Sequence, residues 1–198
     1  MAEGTTSPSH ATRTLATTRG VLTYAQLAPL LGERVLAVEQ RIAAGGFAAF
    51  ALDGDFLRQL HATIAGDLVP DWAGQWRTVA VRVGTHEPPP PHELPLLIHL
   101  YADDLGARLA HSADDLLLET LAFAEGRFLS IHPFRDFNGR VARLFLRELL
   151  RRLDLPPVDL VPTTPGDEPT YFAALRAGDT LNWQPLAAIW RQRLETFA

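Results

Sequence analysis

The sequence predicts an all-α fold, a compact helical bundle carrying one short β-hairpin, and three observations lead there. Apolar residues recur at helical spacing in several separate stretches; one stretch alone alternates between apolar and polar faces; and no run approaches the ~20 apolar residues that a membrane-spanning helix needs. With 198 residues, 47% of them hydrophobic, there is material for one core, so a single domain over 21–198 is expected behind a small, Thr-rich and loose tail over 1–20. That tail has no hydrophobic core of a signal peptide, and a soluble cytoplasmic protein is expected, secretion as an effector remaining a second possibility.

The elements follow in order. GERVLAVEQRIAAGG (32 to 46) sets Val35, Leu36, Val38 and Ile42 on a helical period and stops at paired glycines, which predicts a helix ending near Ala44. The stretch 47 to 68 predicts a second helix, joined through polar residues at 53 to 55. RTVAVRVG (77 to 84) then alternates, with Val79, Val81 and Val83 on one side and Ala80 and Arg82 on the other, as a strand with one face inward does. Gly84, Thr85 and His86 can turn the chain, and the four prolines at 88 to 91 return as an extended arm or serve as a rigid linker. Helices are predicted again at 92 to 110 and 113 to 131, the latter apolar nearly all round and therefore central. A further helix runs from Gly139 to about Leu153, barred from continuing by Pro156 and Pro157. One or two more complete the chain, broken around 178 to 185.

Absences narrow the chemistry. The chain has no cysteine and no lysine, which excludes disulfides, thiol nucleophiles, Schiff-base lysines and the Walker phosphate loop. Its four serines lie outside any GxSxG, and His92-Glu93 does not extend to HExxH. A net charge of -5 argues against general nucleic-acid binding. Histidine, carboxylate and arginine chemistry remains.

Those residue types gather in HPFRDFNGRVAR (132 to 143), between two predicted helices. Asn138 is a favourable N-cap, which would turn the backbone N–H groups of the next residues and the positive end of the helix dipole outward as an anion seat. Arg140 and Arg143 lie three residues apart on one helix face, about 4.5 Å along the axis, a spacing that suits successive phosphates. Arg147 and Arg151 continue the stripe too far away to share a small anion and are read as surface or salt-bridge residues. Beside phosphates, Asp136 is suited to Mg2+, a cation often held by one or two carboxylates plus phosphate oxygens. His132, expected to titrate near neutrality, could accept a proton from an incoming hydroxyl. Taken singly, each feature is more often a cap, a loop histidine or a solvated face; their co-occurrence in register is what reverses that reading. The remaining histidines, His61 and His86 among them, show no ligand spacing, and Trp72 and Trp76 are expected in the core.

The stretch resembles the signature of the Fic (Fido) family, HxFx[D/E][G/A]N[G/K]RxxR, at His132, Phe134, Asp136, Asn138, Gly139, Arg140 and Arg143. WAGQWRTVAVRVGTHEPPPPHELPLL (72 to 97) is similar to the family's target-docking hairpin, the flap, and ALRAGD (174 to 179) adds a downstream match. The resemblance implies a Fic-type helical bundle and transfer of AMP from ATP to a Ser, Thr or Tyr hydroxyl of a target protein. It implies His132 as general base and Asp136 as holder of Mg2+. Asn138 and Gly139 would grip the α-phosphate, Arg140 and Arg143 the β- and γ-phosphates, with Phe134 anchoring the loop in the core. Val79, Val81, Arg82 and Val83 would dock an extended target segment by strand addition.

Phe137 departs from the pattern, standing among the nucleotide-binding positions where the family has Gly or Ala. If that position needs positive φ, phenylalanine is strained there. The expectation is that the loop avoids the conformation and the ring packs against apolar neighbours; altered nucleotide handling is the other outcome. Gly139, where the phosphorylating Doc subgroup has lysine, favours AMP transfer. The family's inhibitory [S/T]xxxE[G/N] is absent, Thr164 to Glu168 having the spacing but proline next, so a separate small inhibitory (antitoxin) protein or constitutive low activity is implied. The alternatives are a catalytically impaired Fic-like binding module and a Fic enzyme transferring another phosphate-linked group.

Overall fold

In the computed structural model the described residues are 13–111, 116–162 and 166–196. The chain first forms an antiparallel hairpin, β1 (Thr14–Thr17) and β2 (Gly20–Thr23), with Thr14 opposite Thr23 and Thr17 opposite Gly20. This hairpin occupies the end of the stretch expected as a loose tail; residues 1–12 lie outside the described residues. It is tied down at its turn, where the Thr18 N–H donates to the Leu68 carbonyl at 2.9 Å and its hydroxyl to that of Asp67 at 2.6 Å.

Thr23 also opens the first helix. Its hydroxyl accepts from the Gln26 N–H and the Gln26 side chain accepts from the Thr23 N–H, a reciprocal cap that starts α1 (Tyr24–Ala43) eight residues before the apolar period becomes evident. The second helix is shorter than expected: Asp53 caps it through the Phe56 N–H at 3.0 Å, so the polar junction at 53 to 55 is the start of α2 (Gly54–Ala65), preceded by turns.

A 3-10 turn (Pro91–Glu93) leads into α3 (Leu94–Ala110). The central helix α4 (Leu117–Ile131) packs against α3 and against α5 (Asn138–Arg152), α6 (Asp167–Gly178) and α7 (Gln184–Glu195). α1 and α2 close the other side of α5. Trp183 sets the spacing of α4, α6 and α7: a Cβ at Gly126 would stand 2.8 Å from its ring, and one at Gly178 2.7 Å. The expected all-α bundle with one short two-stranded sheet is therefore observed among the described residues, but that sheet is β1–β2 and not the stretch from 77. Among the described residues no helix is long and apolar enough to cross a membrane.

The stretch 77 to 84 is not the strand its alternation predicts. Its two limbs meet where Val83 and His86 pair, each N–H donating to the other's carbonyl at 3.0 Å, and among the described residues the regular two-stranded sheet is β1–β2. The prolines at 88 to 91 have no N–H to give, and the guanidinium of Arg77 takes the carbonyls of Val79 and Pro89 for itself. Nor do the valines share a face: Val81 is buried, whereas Val79 is 44% exposed.

Candidate active site

The loop between α4 and α5 is shaped by two left-handed residues. His132 (φ 50°) ends α4, and Phe137 (φ 62°) precedes α5. Such a conformation is unfavourable for a bulky L-residue by about 1 to 2 kcal/mol. The surrounding contacts impose it. The Phe137 ring is 3% exposed and stacks on Trp72, with centroids 5.7 Å apart, and on His61 at 6.1 Å. The expectation that the loop avoids positive φ is thus overturned, while the expected apolar packing of the ring is what makes the strained turn affordable.

Asn138 is not the helix cap. It occupies the first helical position, and its side chain turns back across the loop, accepting from the Phe134 N–H and donating to the Phe134 carbonyl, both at 2.9 Å. Cap geometry needs an extended backbone at the capping residue, and the left-handed Phe137 takes that place. The anion seat is nevertheless present. The N–H groups of Arg140 and Val141 both donate to the Phe137 carbonyl, so the amides of Asn138 and Gly139 come before the first helical bond. A Cβ at Gly139 would meet nothing nearer than an Arg143 nitrogen at 3.8 Å; glycine here keeps the approach to the backbone open.

Arg140 and Arg143 line one cavity of about 430 Å³ with His132, Asp136, Phe137, Asn138 and Gly139, and with Tyr24, Ala25 and Ala28 from the start of α1. Among the described residues neither arginine is ion-paired. Burial lowers the proton affinity of both below the usual arginine value, and Arg140 adds like-charge repulsion on Arg143. The rest of the stripe behaves differently: Arg147 donates to the Val158 carbonyl at 2.7 Å, and Arg151 and Arg152 hold the buried Glu148 at 2.8 and 2.7 Å.

His132 is partly buried, and its pKa is pushed down to about 4, by burial first and by the charge of Arg77, against the backbone bond to Leu129. The expected titration near neutrality is corrected accordingly. Its Nδ1 lies 3.3 Å from the Leu129 carbonyl, which can only accept, so Nδ1 carries the hydrogen and Nε2 is left with the lone pair. Asp136 is buried. One carboxylate oxygen accepts from the Phe137 N–H at 2.7 Å, and the other lies 3.2 Å from an Arg13 nitrogen.

Two contributors carried no signal in the linear order. The His61 ring lies flat against Phe134, centroids 4.1 Å apart; its Nδ1 accepts from the Gly74 N–H at 2.8 Å, so Nε2 donates to the Asp136 carbonyl at 3.3 Å. Arg77, only 3% exposed, bonds to the backbone of the same loop. The anchoring Phe134 is fully buried between His61, Trp76 and Phe128. Of the hairpin positions, Val79 and Arg82 are exposed, Arg82 paired with Glu87 at 3.3 Å, while Val81 is buried and Val83 is bridged to His86.

A family model described as Fic/DOC matches residues 51–150, about half of the chain. Protein adenylyltransferase Fic of Drosophila grimshawi is 33% identical over 117 residues, which are 59% of this chain and 24% of that protein. The protein of the same name from Drosophila persimilis is 34% identical, with 59% and 22% covered. The chain thus spans about a quarter of the length of the curated relatives it matches. Two solved structures share the fold. The Fic domain of Bep8 from Bartonella sp. 1-1C superposes with a TM-score of 0.73 at 16% identity, covering 98% of this chain and 95% of that one. BepC from Bartonella tribocorum, solved with bound AMPPNP, gives 0.72 at 18% identity, with 92% of each chain covered. The matched half of the sequence contains the stretch 72 to 97 and the whole loop from His132 to Arg143, and on that match the chain belongs to the Fic/DOC family.

Proposed function

We propose that this chain is a protein adenylyltransferase, moving AMP from ATP to a Ser, Thr or Tyr hydroxyl of another protein and releasing pyrophosphate. The observation that carries the reading is the convergence on one cavity of two helix-start amides, two arginines without ion-pair partners among the described residues, a carboxylate and an imidazole with its Nε2 lone pair free. The names of the Drosophila relatives and the AMPPNP held by BepC support it.

In this reading the amides of Asn138 and Gly139 receive the α-phosphate, and Arg140 and Arg143 receive the β- and γ-phosphates, charges that offset the repulsion between the two guanidiniums. Nε2 of His132 takes the proton of the target hydroxyl as its oxygen bonds to the α-phosphorus. The bond from that phosphorus to the bridging oxygen breaks, and pyrophosphate leaves with the electron pair. Among the described residues no three His, Cys, Asp or Glu side chains gather into a metal cage, so a cation at Asp136 needs phosphate oxygens to complete its shell. That requirement fits Mg2+, whose charge would neutralise the phosphates. The Phe137 ring, turned into the core against Trp72 and His61, speaks against the binding-module alternative in which it blocks the nucleotide. Val79 and Arg82 offer side chains to the target protein. Arg143, without an ion pair among the described residues, supports inhibition by a carboxylate supplied by a separate small antitoxin-like protein, and the demand for ATP and Mg2+ suits the cytoplasm.

The test is incubation with α-32P-labelled ATP, Mg2+ and a cell lysate, wild type beside His132→Ala. Label on lysate proteins with the wild type only is expected. Equal labelling by both would remove His132 as the base, and no labelling by either would sink the activity.

A further inference from the structure

The last turn of a helix leaves its carbonyls without intrahelical partners, and they are normally satisfied locally or by water. At the end of α4 they are satisfied from far away. The carbonyl of Ser130 lies 2.8 Å from Nε2 of His86. Those of Ile131 and His132 accept from the Arg77 guanidinium at 3.4 and 2.8 Å, and that of Pro133 accepts from the Arg77 backbone N–H at 2.9 Å. Four consecutive carbonyls at the entrance to the loop are therefore held by two residues of the docking hairpin.

Arg77 reaches the other way as well, donating to the Val79 and Pro89 carbonyls, one on each limb of the hairpin. Among the described residues the four acceptors of its side chain are carbonyls, and none is a carboxylate. A guanidinium buried with no counter-ion among those residues is expensive, and burial pushes its pKa down to about 10. Filling the same space with an apolar side chain would be cheaper, so packing alone does not account for it. The planar fork with five N–H donors can serve two backbone segments at once, which a point charge on a flexible stem cannot. His86 completes the arrangement at the tip, its Nδ1 lying 3.1 Å from Asp179 in the ALRAGD segment.

We propose that Arg77 is a positioning residue that locks both limbs of the docking hairpin to the backbone of His132, so that a target segment docked on the hairpin arrives in register with the imidazole. This deepens the adenylyltransferase reading and rests on it. A displacement of about 1 Å at a reacting centre lowers a rate by roughly 10²-fold, so a hairpin released from the loop lowers transfer without touching the nucleotide seat on α5.

The experiment compares wild type with Arg77→Gln, Arg77→Lys and, as a surface control, Arg191→Gln on the exposed face of α7, all in the full chain. It measures the affinity for a fluorescent ATP analogue with Mg2+, transfer of AMP from α-32P ATP to lysate proteins, and amide hydrogen exchange. Expected for Arg77→Gln is a transfer rate lower by about 10- to 100-fold, nucleotide affinity within about twofold, and exchange at least about tenfold faster at the Val83, His86 and His132 amides with no change at Val141 and Leu144. Arg77→Lys recovers little, and Arg191→Gln stays close to wild type. Unchanged exchange and transfer in Arg77→Gln would overturn the proposal. So would a parallel fall of nucleotide affinity, thermal midpoint and transfer, the pattern of a merely structural residue. If the wild type itself labels nothing, the activity reading fails, and exchange at the hairpin amides alone decides whether the lock exists.

Discussion

The loop from His132 to Asn138 and the hairpin from Arg77 to Pro90 are joined through one guanidinium but held by opposite means. In the loop the bonds that its signature side chains make to backbone are local: His132 to Leu129, Asp136 to Phe137 and Asn138 to Phe134 span three, one and four residues. In the hairpin the decisive bonds span 55 residues for Arg77 to His132 and 44 for His86 to Ser130, with one backbone bridge between the limbs. A local constellation is a property of its own residues, whereas a hairpin lacking a ladder depends on the rest of the fold to stand. The difference teaches why one half of the site is written as a motif and the other as scattered side chains.

The largest expected effect breaks the loop's chemistry and leaves the hairpin alone. His132→Ala lowers AMP transfer by about 10²- to 10⁴-fold while changing ATP affinity by less than about twofold, as single-turnover rates and nucleotide titration would read. Loss of affinity together with rate would mean that the imidazole shapes the seat and is not simply the base.

Acid comes next, and it separates the loop's supports from the hairpin. Burial pushes His61, like His132, down to about 4. An unfolded imidazole titrates near 6.5, so between pH 6.5 and 4 the unfolded state binds protons that the folded state refuses. Stability is therefore full above about pH 6.5 and falls as pH drops toward 4, by roughly 3 kcal/mol for His61. Urea unfolding at pH 7 and 4.5 reads this, and His61→Gln, which keeps a donor and an acceptor but does not titrate, shows a smaller fall. An equal fall in both would clear His61 of the effect.

Stability sharpens the contrast further. Phe137→Gly relieves about 1 to 2 kcal/mol of backbone strain but forfeits about 3 to 5 kcal/mol of buried ring, a net loss of roughly 2 kcal/mol. Val79→Ala on the exposed face of the hairpin stays within about 0.5 kcal/mol. Denaturant midpoints compare the two, and a stabilised Phe137→Gly would show that the ring contributes less than the strained turn takes away. The smallest effect is at Arg13, whose guanidinium lies 3.2 Å from the Asp136 carboxylate. Arg13→Ala lowers the Mg2+ concentration that half-saturates nucleotide binding by about two- to fivefold, the range of a partly exposed ion pair. No change would mean that Asp136 and the cation do not meet.

Legibility follows the same division. Helical periods and stop signals in α3, α4 and α5 were readable because burial of one face repeats every few residues, and the loop signature was readable because its members are neighbours. The start of α1 escaped because the Thr23 and Gln26 cap lies outside the apolar period. The alternation at 77 to 84 does not make a strand because alternating valines report side-chain chemistry, and a ladder also needs N–H groups on the returning limb, which four prolines withhold. Asn138 does not cap the helix because the left-handed turn at Phe137 is imposed by Trp72 and His61, residues more than sixty positions away in the chain.

By itself, then, the sequence determined an all-α bundle, the family, and the identity of the seven signature residues, since each of these depends on short-range spacing. Tertiary structure alone decided that Phe137 holds a strained turn, that His61 and Arg77 brace the loop, that His132 is kept neutral by burial, and where the hairpin is pinned. These are outcomes of desolvation and of bonds between distant segments, and both come into existence only when the core closes.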